Sequence, residues 1–266
     1  MTLRRDLRSS MTLEVSDPTA FVLAISSARG VPLAWEALTI SVDGDPVAVR
    51  ELDEEPLTRL QLFETTPGTV RIDYAAEVTG RAPAAAVHPI DEIVYLRPSR
   101  YVQSDTLQPF ARDTFPGLGG ARLVREVSSW VADRLAYVPA ATSPTGGAVE
   151  TLESGEGVCR DYAHLTAALL RALDVPARLV SVYAPGLDPM DFHAVVEALV
   201  EGRWVVVDST RLAPRAAMVR LATGRDATDT AFLTNTLSDI RLLTLQVQAE
   251  ASEAFSDDPD ELVELG

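Results

Sequence analysis

The 266-residue sequence has no lysine: its 23 basic residues are all arginine, set against 39 acidic residues, for a formal charge of −16 and a pI near 4.5. That excludes a lysine nucleophile, a lysine Schiff base and a phosphate-binding P-loop lysine. A strongly negative surface repels phosphate backbones and anionic lipid, so neither nucleic-acid binding nor docking on a charged membrane is expected. Cysteine is limited to Cys159, which leaves no internal disulfide and fits a reducing cytoplasm. No apolar run approaches the roughly 20 residues that a membrane-spanning helix needs. Met1 to Ser10 is polar and arginine-rich, and Phe21 to Ile25 follows Asp17-Pro18 without a small-residue cleavage site, so no signal peptide is read. With 47% hydrophobic and 23% charged residues, the chain has the composition of a soluble protein with a real core, in one large domain or two small ones.

From Thr12 to about Val94 the chain carries short strand patterns. Leu38-Thr-Ile-Ser-Val42 ends at Asp43-Gly44, a hairpin signal, and Leu60 to Phe63 leads to Pro67-Gly68. Val70, Ile72 and Tyr74 alternate with Arg71 and Asp73, one face apolar and one polar. A small antiparallel sandwich or barrel is expected. Prolines 83, 89 and 98 mark a connection, after which the period changes. Leu123, Val127, Trp130, Val131 and Leu135 form one helical face, predicting a helix over 120–136. A glycine-rich loop over 143–157 leads into a second helix with an inner stripe of Val158, Tyr162, Leu165, Leu169 and Leu173, closed by Pro176. Strands are expected at 177–183, 193–200 and 204–208, the last two joined by a hairpin at Glu201-Gly202-Arg203, with a further strand at 240–247. The acidic segment from Ala251 is expected to be a solvated end that frays. The domain reading is therefore 1–100 β-rich, 101–250 core and 251–266 acidic tail.

The chemistry concentrates at Gly155-Glu-Gly-Val-Cys-Arg-Asp-Tyr-Ala-His-Leu165. A glycine loop running into a helix places Cys159 among unpaired backbone N–H groups and partial positive charge, which favour a thiolate nucleophile and suit an oxyanion formed by attack on a carbonyl. The nucleophile wants a base. His164 lies five residues on along the same helix, about 140° round, poorly placed to reach the sulfur. His193 begins one strand and Asp208 ends the next, and antiparallel pairing about Gly202 brings them together. Cys159, His193 and Asp208 are then nucleophile, base and orienting group. The residues alone leave two alternatives open: a buried structural cysteine and histidine, or a metal site from Cys159, His164 and His193, whose spacing is unlike that of familiar zinc sites. Elsewhere, Tyr162 and Leu165 read as core, Asp161 as a partner of the helix dipole, Asp191 as a loop carboxylate, and Trp130 and Tyr137 as helix packing rather than oxyanion donors. Arg211 is expected to pair with a carboxylate, and His88 to sit in a surface loop.

Gly157-Val-Cys-Arg-Asp-Tyr-Ala-His-Leu165, Val175-Pro-Ala-Arg178, Ser181-Val-Tyr-Ala-Pro-Gly186, Asp191-Phe-His-Ala-Val195 and Asp208-Ser-Thr-Arg-Leu-Ala-Pro214 resemble the bacterial transglutaminase-like superfamily. Tyr95-Leu-Arg-Pro-Ser-Arg-Tyr101 followed by Ser104-Asp105 resembles the junction of its two-part members. The resemblance implies an α+β fold, with a papain-like core in which a cysteine-bearing helix packs on an antiparallel sheet behind a β-rich N-terminal region. It implies catalytic roles for Cys159, His193 and Asp208, no cofactor and no metal. Two positions depart from the pattern: Val102 stands where a cysteine is frequent, and Ser209 where a proline is frequent. The expected activity is that of a cysteine protease or amidase acting on a peptide or protein. The alternatives are transfer of the acyl group to an amine, including an arylamine acylated from a coenzyme A thioester, and a non-enzymatic peptide-binding module. The substrate and the oligomeric state are not legible.

Overall fold

A computed structural model describes residues 2–54, 56–139, 141, 143–236 and 239–266. The first seven strands are β1 (Arg4–Val15), β2 (Thr19–Leu23), β3 (Leu33–Val42), β4 (Asp45–Pro46), β5 (Arg50–Glu54), β6 (Thr58–Thr65) and β7 (Gly68–Thr79). Asp43 and Gly44 both take positive φ, 51° and 94°, which gives the β3–β4 hairpin the twist its strands require. Val70, Ile72 and Tyr74 of β7 are buried, while Arg71 and Asp73 pair with each other on the outer face at 2.7 Å.

The helices and remaining strands follow as α1 (Asp91–Val94), α2 (Ser104–Thr114), α3 (Gly120–Arg134), β8 (Ala136–Tyr137), α4 (Ala148–Ser154), β9 (Glu156–Gly157), α5 (Cys159–Ala172), β10 (Ala177–Tyr183), β11 (His193–Val200), β12 (Arg203–Val207), β13 (Val219–Gly224), α6 (Ala227–Thr230), β14 (Leu233–Thr236) and β15 (Ile240–Ala251). The expected helix and strand positions around the cysteine match these to within two residues at each end. Glu201 and Gly202, at φ 52° and 73°, close the β11–β12 hairpin.

Three main sheets result. The order β12-β11-β10-β13 is antiparallel and lies against α5. The other two sheets are β15-β1-β7-β3-β4 and β14-β2-β6-β5. Strand pairing therefore does not follow the division expected at residues 100 and 250. β14 and β15, read as part of the core, pair with β2 and β1 of the first half. One apolar cluster joins Leu7, Met11, Phe21, Phe63 and Ile72 of those two sheets to Tyr183 and Leu221 of the third and to Phe192 just before β11. A second cluster seats α2, α3 and α5 on β10–β12. The acidic end does not fray as expected. Leu265 is buried, Val263 bridges Val206, and the buried Arg215 holds the Asp257 carboxylate and the carbonyls of Asp258 and Glu261. No helix among the described residues is long and apolar enough to cross a membrane.

Candidate active site

α5 is the central helix, and every residue from Asp161 to Ala172 is buried. A helix buried all round is fixed in place by its packing, so its first residue, Cys159, is fixed too. Its entry is tied by Asp161, whose Oδ2 accepts the Val158 N–H at 2.9 Å. That carboxylate leaves no room for a side chain at residue 157: a Cβ on Gly157 would lie 2.6 Å from that of Asp161. The glycine before the cysteine is thus a steric requirement of the cap. Asp161 caps the backbone itself, a more specific role than the dipole partner expected.

His193 comes from the neighbouring sheet. The register Val196↔Val207 carries on to place His193 level with Thr210. From there Asp208 Oδ2 meets His193 Nε2 at 2.8 Å, both side chains almost fully buried. The other carboxylate oxygen, Oδ1, accepts the Thr210 N–H at 2.9 Å and its hydroxyl at 2.7 Å. With Nε2 committed to Asp208, Nδ1 is the ring atom left for the thiol, and it has no nitrogen or oxygen partner among the described residues. Cys159 itself is partly exposed and interacts with the ring. Burial opposes a charged imidazole, but the Asp208 carboxylate and the Cys159 sulfur outweigh it and raise His193 to about 10. Asp208 moves the opposite way: burial disfavours its charge, and the imidazole and Thr210 more than compensate, so it is held below the usual carboxylate range.

These shifts give the pair a pH signature. A raised histidine stabilises the fold fully below its ordinary 6.5, and that contribution disappears as pH climbs through about 10. A depressed carboxylate contributes above its ordinary 3.8 and ceases to as pH falls through its folded value. Asp208→Asn is therefore expected to destabilise most between about pH 4 and 6.5, and progressively less as pH rises towards about 10 or falls below 3.8. Urea midpoints of both proteins across that range check this; a difference independent of pH would mean that the pair is not ionic.

Tyr137 and Trp130 separate. Trp130 packs in an aromatic cluster with Phe110 and Phe115, at 5.6 and 6.0 Å between ring centres, as expected of a helix residue. Tyr137 has the helix packing expected, its ring centre 6.0 Å from that of Tyr162 on α5, and it also reaches the cysteine. It belongs to β8, which pairs in parallel with β9 immediately before the cysteine, and its phenol meets both the backbone N–H and the sulfur of Cys159. Burial, then the charge of Cys159, push that phenol up to about 12, so it stays an O–H donor. The pairing with Glu156-Gly157 and the ring of Tyr162 position it, and a two-residue strand has no periodicity to betray it.

His164 stands apart. It is fully buried, its Nε2 accepts the Ala227 N–H at 3.2 Å, and its ring stacks on Tyr101. Burial drops it to about 3. It does not join Cys159 and His193, and no metal-holding group of three His, Cys, Asp or Glu residues occurs among the described residues. Ser209 uses the freedom that a proline would lack, sharing hydrogen bonds with Thr166 at 2.8 Å and Ser128 at 3.4 Å. Arg211 donates to the Ser129 hydroxyl at 2.9 Å, where a carboxylate was expected. Asp191 borders the cleft beside His193, its Oδ1 accepting the Phe192 N–H at 2.7 Å. The cleft over Cys159 measures about 580 Å³.

A sequence profile described as the transglutaminase-like superfamily matches residues 114–209. A candidate cysteine protease from Cytophaga hutchinsonii, solved as a crystal structure, superposes on 98% of this chain and 96% of its own with a TM-score of 0.89 at 30% identity. The periplasmic domain of TgpA from Pseudomonas aeruginosa aligns with 79% of this chain and 87% of its own, at 18% identity and a TM-score of 0.42. An uncharacterized protein of Mycobacterium leprae is 29% identical over 137 residues, 48% of this chain and 49% of that relative, so the match spans about half of either.

Proposed function

This chain belongs to the transglutaminase-like superfamily, and on that premise we propose that it is a thiol hydrolase, a cysteine peptidase or amidase acting on the amide of a peptide or protein. The observation that carries the reading is the bridging ring of His193, fixed at Nε2 by Asp208 and left at Nδ1 for Cys159. In the first half-reaction the Cys159 sulfur attacks the acyl carbon and its proton passes to Nδ1. The carbonyl oxygen, now negative, takes the N–H of Cys159 and the hydroxyl of Tyr137 as donors. Collapse of the tetrahedral adduct breaks the C–N bond; the imidazolium returns the proton to the departing amine, leaving a thioester. Water then attacks the thioester, with His193 as base, and releases the acid and the free thiol. Asp208 orients the ring and stabilises it whenever it carries the proton.

Water is the acceptor favoured here because Cys159 is partly exposed at the cleft, whereas transfer to an amine calls for water to be kept out. A cytoplasmic setting keeps the lone thiol reduced. Trapping tests the reading. Iodoacetamide is expected to alkylate Cys159 much faster than a model thiol at pH 7, and His193→Ala is expected to slow it by about 100-fold, within the range for loss of a positioned base. Ordinary thiol reactivity in both proteins, read by mass spectrometry of the intact chain, would refute the assignment. Fast alkylation without turnover on any peptide would point instead to a binding module that keeps the fold.

A further inference from the structure

Part of the wall of the cleft that holds the cysteine comes from the β-rich part of the molecule. Leu233 lies on β14, level with Leu23 of β2, and Leu245 lies on β15, level with Met11 of β1. Between α6 and β14, Ala231 and Phe232 complete that wall, and Phe232 stacks on Phe192 at 5.0 Å with the rings 25° apart. Phe192 is the residue immediately before the base. The charged residues lining the cleft, Arg160, Asp191 and His193, are all close in sequence to the reacting groups. From residue 231 to 234 and at 245 the lining is Ala, Phe, Leu, Thr and Leu, with no charge among these described residues. The volume of about 580 Å³ lies in the range of about 300–1,000 Å³ typical of ligand sites and admits a side chain with its backbone.

Resting on the thiol-hydrolase reading above, we infer that this β-sheet wall is a specificity pocket that selects substrates carrying a large apolar or aromatic side chain beside the scissile amide. An apolar side chain gains by leaving water there. A charged one loses its hydration and finds no partner on that wall. The β-rich region is thereby half of the substrate site as well as a support for the fold.

The test uses the full chain and a panel of peptidyl acyloxymethyl ketones with Leu, Phe, Gly, Asp or Arg next to the reactive carbon. Labelling of Cys159 is scaled to each protein's own rate with iodoacetamide, which has no side chain to place. The Leu and Phe probes are expected to react about 10-fold or more faster than the Gly, Asp and Arg probes, the order of discrimination one or more buried methylenes provide. Leu233→Ser with Leu245→Ser is expected to flatten the ranking. Thr234→Arg, at an exposed wall position where folding is not at stake, is expected to favour the Asp probe several-fold over its rate in the unaltered protein. Equal rates across the panel, or a preference for Asp or Arg in the unaltered protein, would overturn the inference while leaving the thiol chemistry intact. Slow iodoacetamide labelling of the unaltered protein would sink the thiol reading, and the inference with it.

Discussion

Cys159→Ser is expected to lower kcat on a leucine- or phenylalanine-containing peptide p-nitroanilide by roughly 10⁴–10⁶-fold, the range seen when one member of a nucleophile–base–orienter unit is removed. The hydroxyl keeps the shape of the thiol but gives up its proton far less readily, and the buried imidazole is matched to sulfur. The sharper expectation concerns the double variant. If His193 acts only by moving the proton of residue 159, then His193→Ala in the Cys159→Ser background costs almost nothing more. Single and double variants measured together on one substrate decide the matter. Effects that multiply would mean that the ring and the sulfur act separately.

A large loss of stability, with no direct effect on chemistry, is expected at Glu197. This carboxylate is fully buried on β11, with Arg178 of β10 at 2.7 Å and Arg220 of β13 beside it. The Arg178 guanidinium lies over the Trp204 ring, 3.9 Å from its centre. Burial opposes the charge on Glu197, but Arg220 and Arg178 overcome it and hold the carboxyl down to about 2. Removing one partner of a buried ionic group costs about 3–5 kcal/mol because the remaining charges cannot return to water. Glu197→Gln is therefore expected to lower Tm by about 10 °C, at roughly 2–4 °C per kcal/mol for a chain of this size. The contribution is present above the ordinary carboxylate value of 4.5 and is lost as pH falls through about 2, so the two melting curves converge in acid. A cost below about 1 kcal/mol near neutral pH would show that water or another group reaches the arginines.

What was legible from the amino-acid order depended on how local each cause is. β10 reads cleanly because Pro176 precedes it and five of its seven residues are apolar. The β11–β12 hairpin reads because Glu201-Gly202 fixes the turn, and with the turn comes the juxtaposition of His193 and Asp208. β1 was legible only from Thr12 onwards. Its inward positions run Arg5, Leu7, Ser9, Met11, Leu13 and Val15, and two of the six are polar. Arg5 is buried because the carbonyls of Met218 and Gly266 accept its N–H groups, and Ser9 because Tyr183 donates to it. Neither partner is near in sequence. α2 escaped notice because Pro109 interrupts a short polar stretch. The place of Tyr137 beside the cysteine, and the lining by Ala231 to Thr234 and by Leu245, were not legible for the same reason: long-range strand pairing puts them at the cleft.

The return of β14 and β15 to the first half has a consequence for anyone who would excise the core. A fragment cut out at residues 101–250 would carry two strands stripped of their neighbours, each offering a row of unpaired amides and carbonyls to other molecules. Adhesion between copies, rather than a minimal enzyme, is what such a truncation would produce. The two halves of this polypeptide are interleaved more like clasped hands than like beads on a string.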